Sequence, residues 1–132
     1  MGTTRCQRWL IGVSLALVAT VLFAACLTVR HAILVVRCAF VAEQTDIFLQ
    51  MRNRALELPA TEAAECLDYV THYYCSGTKQ FQGSALDQTV ERFRNEMIRQ
   101  IIEYLREKTG KNLGTDPQPW INEFSTHRRT EN

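Results

Sequence analysis

The sequence predicts an all-α protein in which one N-terminal transmembrane helix continues into a small antiparallel helical module. Three observations predict it: an uncharged apolar run from Trp9 to Val29, apolar residues spaced by three and four through most of the remainder, and no strand-like alternation in the connecting stretch 79–83. The 132-residue chain is long enough for one domain beside the apolar helix.

Charge is divided unevenly along the chain. Residues 1–42 contain four arginines and no acidic residue, whereas all 14 Asp and Glu residues lie from Glu43 onward, together with 11 Lys and Arg residues. The net-negative remainder argues against a nucleic-acid-binding domain, which needs a clustered basic face. The acid-free first part suits anionic lipid head groups. We therefore expect a lipid bilayer as a partner and no nucleic acid.

The apolar run has the length of a membrane span. Its 21 residues make a helix of about 30 Å, the thickness of a bilayer's hydrocarbon core. Trp9 lies at one end, where an indole favours the membrane interface, and Arg8 and Arg30 flank the run. We interpret it as an uncleaved signal-anchor. The short basic leader favours a cytoplasmic N-terminus, which predicts a single-pass protein of the cell inner membrane with a periplasmic C-terminal module.

Three other interpretations of this segment stay open. A cleaved signal peptide fits the basic leader, but the apolar run is long and no A-x-A site follows it. A lipoprotein signal would use residues 22–26 as a degraded lipobox and lipidate Cys26, with Phe23 where leucine is usual. A helix buried in a soluble core would need more polar residues on its outer face.

The chain divides into five predicted segments. They are a basic N-terminal tail (1–8), the transmembrane signal-anchor helix (9–29), a juxtamembrane helix that continues the anchor (30–58), a helical module (61–124) and a flexible tail (125–132). Pro59 ends the juxtamembrane helix, because the residue before proline avoids the helical region. Arg30, Arg37 and Gln44 are spaced by seven and share one stripe, which we expect to face head groups or water.

The helical module carries recognisable helix-end signals. Thr61 is the predicted N-cap of its first helix and Ser84, followed by Asp87, that of its second. Gly110 is predicted to cap the C-terminus of that second helix. Asp116 and Pro117 then start a short last helix.

Asp68, His72 and Cys75 are the strongest candidates for chemistry. Their spacing of four and three places them on one helical face, as in a metal half-site or a Cys–His pair with an orienting carboxylate. Without a partner motif such as HExxH or CxxC, an exposed Asp–His pair beside a half-buried cysteine is the favoured interpretation. We therefore predict no catalytic, cofactor-binding or metal-binding residue.

Two further clusters have a structural and a functional interpretation. The stretch 76–79 (Ser-Gly-Thr-Lys) is similar to a phosphate-binding loop, but it lacks the first glycine and the Lys-then-Ser/Thr order, so a turn after a helix is favoured. Tyr69, Tyr73 and Tyr74 could form a binding surface, although a helix–helix seam with hydroxyls at its rim is favoured.

The five cysteines do not indicate a disulfide framework. Their number is odd and they form no CxxC pair. Cys66 and Cys75 could pair outside the cytoplasm, but a continuous helix would hold them about 13 Å apart, too far for a bridge. Whether they pair is left open by the sequence.

The segment Leu105–Trp120 (LREKTGKNLGTDPQPW) carries a resemblance. It resembles a helix-closing pattern, L-R-x-x-T-G-x-D-L/F-G-x-D-P-x-x-W, of membrane-anchored or helical-repeat proteins of planctomycete-type bacteria, with Asn112 in place of the more usual Asp. The resemblance covers about 17 residues, counted from Tyr104, and implies no activity. Its physical content is a glycine cap, a tight turn, an Asp-Pro helix start and a tryptophan folded back on the preceding helix.

These observations predict a single-pass membrane-anchored structural or protein-interaction module rather than an enzyme. A module of about 80 residues has a marginal core, so we expect a protein partner or self-association to add burial. No small-molecule substrate and no cofactor are indicated. The alternative is a small metal-binding or enzymatic protein that uses Asp68, His72 and Cys75.

Overall fold

The computed structural model describes residues 5–130, and side chains within 7–124. It contains four α-helices, which are α1 (Arg5–Glu57), α2 (Ala60–His72), α3 (Ala85–Thr109) and α4 (Pro117–Thr130). No strand occurs in the described chain. The all-α prediction is confirmed, with a long apolar N-terminal helix before a small helical module. The start of the predicted basic tail (1–4) and the end of the predicted flexible tail (131–132) lie outside the described residues.

The chain forms two compact units that divide between Val36 and Arg37. In the first unit, the large apolar side chains of α1 from Trp9 to Val36 are all exposed. The hydroxyls of Thr20 and Thr28 donate to carbonyl oxygens of their own helix, at Ala16 and Ala25. Both threonine hydroxyls are thus satisfied within the helix, as an apolar medium requires of polar groups. This part of α1 is long and apolar enough to cross a membrane.

The second unit is built around a shared core. It comprises residues 37–57 of α1, about six turns, together with α2, α3 and α4. Helix α2 packs along both α3 and α4. All four helices contribute completely buried side chains, among them Phe48 and Ala55 from α1, Leu67 and Val70 from α2, Val90, Ile101 and Leu105 from α3, and Trp120 from α4.

The predicted polar stripe on α1 does not face head groups or water along its whole length. Gln44 is buried, with 2 % of its surface exposed, and Arg37 is half-buried. Arg30 is exposed in the first unit. The expectation is wrong for Gln44 because residues 37–57 form a core helix of the second unit, so side chains seven apart from Arg30 turn inward there.

Pro59 separates α1 from α2 as predicted, but it also takes the role assigned to Thr61. Helix α1 ends at Glu57, and Pro59 itself is the N-cap of α2, with φ −60° and ψ 159°. Its carbonyl accepts the first helical bond, from the Ala63 N–H at 2.9 Å. The prediction of Thr61 as N-cap is wrong, because the extended backbone of Pro59 starts the helix two residues earlier without a side-chain cap.

The ends of α3 and α4 follow the sequence signals. Ser84 Oγ accepts from the Asp87 N–H at 3.2 Å, and Gly110 closes α3 in the left-handed region at φ 68°. The left-handed region disfavours any residue with a Cβ, which accounts for the glycine. Asp116 Oδ1 accepts from the Gln118 N–H at 3.1 Å at the start of α4. Helix α4 continues to Thr130, beyond the predicted module end at Phe124.

Candidate functional site

A buried carboxylate organises the loop between α2 and α3. Asp87, with 2 % of its surface exposed, accepts hydrogen bonds from the hydroxyls of Tyr74 and Ser76, both at 2.5 Å. It also accepts from the backbone N–H groups of Gly83 at 2.9 Å and Gly77 at 3.3 Å. Four donors therefore converge on one carboxylate, which holds both ends of the loop against the start of α3.

These hydrogen bonds shift the pKa values of Asp87 and Tyr74 in opposite directions. Hydrogen bonds from Ser76 and Tyr74 lower the pKa of Asp87 from 3.8 to about 2. Burial, and next the hydrogen bond to Asp87, raises the pKa of the Tyr74 hydroxyl above its ordinary value of 10.0. Asp87 is consequently a charged acceptor and Tyr74 a neutral donor over the whole physiological range.

In the stretch 76–79, which is similar to a phosphate-binding loop, donor groups bind the carboxylate of Asp87. The Ser76 hydroxyl and the Gly77 N–H, which would face a phosphate in such a loop, both donate to Asp87. Thr78 donates instead to the Cys75 carbonyl at 2.7 Å. The two hydroxyls and the Gly77 N–H are therefore satisfied within the protein, which agrees with the favoured interpretation of a turn after a helix.

The same loop is attached to α1. The buried side chain of Gln80 donates from Nε2 to the backbone carbonyl of Arg37 at 3.0 Å. Next to it, the Arg37 guanidinium carbon lies 3.8 Å from the centre of the Phe81 ring, within the range of a cation–π contact. The two contacts cross more than forty residues of sequence and fix the loop beside the first turn of α1 in the second unit.

These contacts build a surface that we call the cation–aromatic belt, made of the half-buried Arg37 and the exposed Phe40, Tyr73, Lys79 and Phe81. Lys79 Nζ lies 5.8 Å from the Phe40 ring centre and 6.0 Å from that of Tyr73. Phe81 is 66 % exposed and Phe40 38 %, unusual values for phenylalanine in a folded unit. The belt alternates cations with aromatic rings. It contains no acidic residue, and its two segments, 37–42 and 73–86, contain none either.

The three tyrosines of the predicted cluster separate into two environments. Tyr74 is buried with its hydroxyl on Asp87, so it lies in a seam, although its hydroxyl is inside rather than at the rim. Tyr69 and Tyr73 are exposed and stacked, with ring centres 4.9 Å apart. Phe48 meets Tyr73 edge to face at 6.2 Å. The seam interpretation is thus confirmed for Tyr74, and a binding surface at Tyr69 and Tyr73 stays a prediction.

The structure keeps two of the three candidate residues for chemistry together and separates the third. His72 Nδ1 lies 2.9 Å from an Asp68 carboxylate oxygen, with both side chains more than half exposed. Helix α2 ends at His72, so Cys75 lies in the following loop, where it is exposed rather than half-buried. Within the described residues, no three His, Cys, Asp or Glu side chains are grouped as a metal ion would require.

The described cysteines are free thiols. They are Cys26, Cys38, Cys66 and Cys75. Cys66 is buried in the core, and this burial raises the pKa of its thiol, against the opposing effect of Arg54. A thiol that is both buried and held in its protonated form is a poor nucleophile. Cys66 is thus a packing residue.

Apart from the belt, the second unit has a concave surface along α3. This α3 groove has a volume of about 470 Å³, an apolar floor of Ile98 and Ile102, and three arginines, Arg94, Arg99 and Arg106. The arginines are already engaged: Arg94 with Glu91 and the Tyr74 carbonyl, Arg99 with Glu96 and Glu103, and Arg106 with the Gly114 carbonyl. Because nearby carboxylates offset two of the three charges, the groove offers less to an anionic ligand than the belt does.

Sequence reasoning missed the belt and the role of Asp87. Arg37 and Phe81 belong to different segments, and no periodicity links them. The sequence predicts Asp87 only as the residue that follows the Ser84 N-cap, whereas its carboxylate accepts from Gly83, Gly77 and two hydroxyls. The one available signal was the lack of any acid between Asp68 and Asp87.

Comparison with known proteins adds no relative to this description. No protein-family model, curated protein or solved structure matches the chain.

Proposed function

We propose that this chain is a single-pass membrane-anchored structural or protein-interaction module. The observation that carries the proposal is that every large apolar side chain of α1 from Trp9 to Val36, in the first unit, is exposed. Removing such side chains from water is worth roughly 1.5–3 kcal/mol each, so the segment favours an apolar environment strongly. The absence of acidic residues before Glu43 supports an anionic membrane as that environment.

The anchor is tested by membrane fractionation of the full chain. We expect the wild-type protein to stay in the pellet after alkaline carbonate extraction. Leu15→Arg with Leu22→Arg should release it, because each arginine at the centre of a spanning helix costs about 2.5–3.5 kcal/mol. The matched control is Leu49→Arg, the same change at an exposed leucine of the second unit, which should stay in the pellet. Wild-type protein in the soluble fraction would overturn the proposal.

Orientation belongs to the same proposal. The basic leader with Arg5 and Arg8 favours a cytoplasmic N-terminus in a bacterial inner membrane, with the module in the periplasm. A reporter that is active only outside the cytoplasm, fused after Asn132, should be active. Activity of the matched cytoplasmic reporter instead would reverse the orientation and leave the anchor in place.

The interaction role is supported by what the second unit leaves uncovered. The stacked pair Tyr69 and Tyr73 is exposed. Aromatic residues are enriched where proteins contact partners, so this pair is a candidate contact surface. Sedimentation of the full chain in detergent should show self-association, or affinity purification from native membranes should recover a partner that Tyr69→Ala with Tyr73→Ala releases. A monomer without such a partner would overturn this half of the proposal.

The alternative, a small metal-binding or enzymatic protein, has one supporting observation, the contact of His72 with Asp68 at 2.9 Å. Metal analysis of the purified chain separates the two functions. Stoichiometric zinc or copper that is lost in His72→Ala would favour the alternative, since a zinc site needs three or four ligands and would then recruit others.

A further inference from the structure

We infer that the cation–aromatic belt of the second unit binds the anionic head-group layer of a membrane, so that the loop between α2 and α3 is a second point of lipid contact. This inference rests on the proposed membrane anchor. The belt consists of Arg37, Phe40, Tyr73, Lys79 and Phe81, and the ligand class is a lipid phosphate surface rather than a soluble anion.

Helix length places the start of the belt in the head-group layer. The 28 residues from Trp9 to Val36 measure about 42 Å as helix, which matches a bilayer including both head-group regions, about 40–45 Å. Arg37 follows Val36 directly in the chain. With Trp9 at one interface, the next residue after this length of helix comes at the opposite head groups.

The composition of the belt fits that layer. Head-group regions accept aromatic rings whose edges are polar or flanked by charge, and they attract cations. Phe81 is two-thirds exposed to water, yet the Arg37 guanidinium lies over its ring at 3.8 Å. A phenylalanine placed against a cation in this way can insert into the interface while the guanidinium binds phosphate.

The loop is held in position before any lipid binds. Gln80 bonds the Arg37 carbonyl, and Asp87 holds the N–H groups of Gly77 and Gly83 on either side. A surface ordered in advance loses little conformational entropy on binding. Asp87, which holds the loop in place, is buried and therefore adds no exposed negative charge to the belt.

The test places a tryptophan in the belt and asks whether lipid reaches it. The full chain carrying Trp9→Phe and Phe81→Trp is reconstituted into vesicles of phosphatidylcholine, with or without phosphatidylglycerol, whose acyl chains are brominated near the head groups. Trp120 is completely buried and its Nε1 bonds the Gly114 carbonyl, so Trp9→Phe alone supplies the background emission. We expect blue-shifted emission from position 81 and strong quenching by the brominated lipid.

Charge dependence identifies the head groups as the ligand. Adding Arg37→Gln and Lys79→Gln should reduce the quenching in vesicles with phosphatidylglycerol, as should raised salt. The matched control is Arg92→Gln with Lys108→Gln, which removes the same charge from exposed positions of α3 and should leave the quenching unchanged. Unchanged Trp120 emission in all variants shows that the core is intact.

The outcomes distinguish this inference from the anchor itself. Emission from position 81 typical of water and insensitive to brominated lipid, in a chain whose native Trp9 is quenched, overturns the belt inference and leaves the anchor. Protection of position 81 without quenching, in a dimer by sedimentation, assigns the surface to a second copy and also overturns it. An unquenched Trp9 overturns both.

Discussion

The hydroxyl of Tyr74 donates a 2.5 Å hydrogen bond to the carboxylate of Asp87, thirteen residues later in the chain. This contact joins the second residue after α2 to the first turn of α3, so it closes the loop that carries Lys79 and Phe81 of the cation–aromatic belt. The same carboxylate accepts from the Ser76 hydroxyl and the Gly77 N–H, which would face a phosphate in a phosphate-binding loop. One buried charge thus engages these donors and orders the loop.

Asp87→Asn should loosen this loop more than its small change in volume suggests. The amide nitrogen of asparagine would face donors, so at least one of the four hydrogen bonds is lost and a buried donor is left unsatisfied. We expect the melting temperature of the full chain in detergent to fall by several degrees and hydrogen exchange at Gly77 and Gly83 to accelerate. Asp68→Asn, at an exposed carboxylate, is the control and should change neither. Equal behaviour of the two variants would contradict a structural role for Asp87.

The contribution of Asp87 should disappear in acid. Its pKa is about 2 in the fold against an ordinary 3.8, so the fold favours the charged form. A depressed pKa gives stability that is complete above the unfolded value and is lost as the pH falls through the folded value. The difference in urea midpoint between wild type and Asp87→Asn should therefore be constant above about pH 5 and shrink towards pH 2. A difference that does not change with pH would show that the charge of Asp87 adds nothing.

Local signals in the sequence were sufficient for most of the fold. The Ser84 cap, the Gly110 C-cap and the Asp116–Pro117 start each depend on backbone groups within four residues, which a pattern can specify. The prediction of Thr61 as the N-cap of α2 is wrong because the fixed backbone of Pro59 can start a helix without a side-chain cap. The belt could not be predicted from the sequence because it joins residues 37–40 to residues 73–81. Contacts over such separations depend on how the helices pack.

Trp120 ties α4 to the turn before it. The side chain is completely buried, and its Nε1 donates to the Gly114 carbonyl at 3.1 Å. Trp120→Ala should lower the free energy of unfolding by about 3 kcal/mol or more through lost burial and a residual cavity. Chemical denaturation in detergent, followed by circular dichroism, measures the change. A loss below about 0.5 kcal/mol, the size of an ordinary surface effect, would mean that Trp120 is exposed in solution.

Tyr104 of α3 is attached to the end of α1. Its hydroxyl donates to the Leu58 carbonyl at 2.7 Å, an acceptor that has no partner within α1 because the helix ends at Glu57. Tyr104→Phe removes only that donor, so we expect a loss of about 1 kcal/mol in the free energy of unfolding. Tyr69→Phe is the matched control, since Tyr69 is 42 % exposed and its hydroxyl can bond water in both states. If both variants lose the same amount, the bond to Leu58 does not stabilise the fold beyond what water provides. If only Tyr104→Phe loses stability, the end of α1 is held by a specific contact with α3.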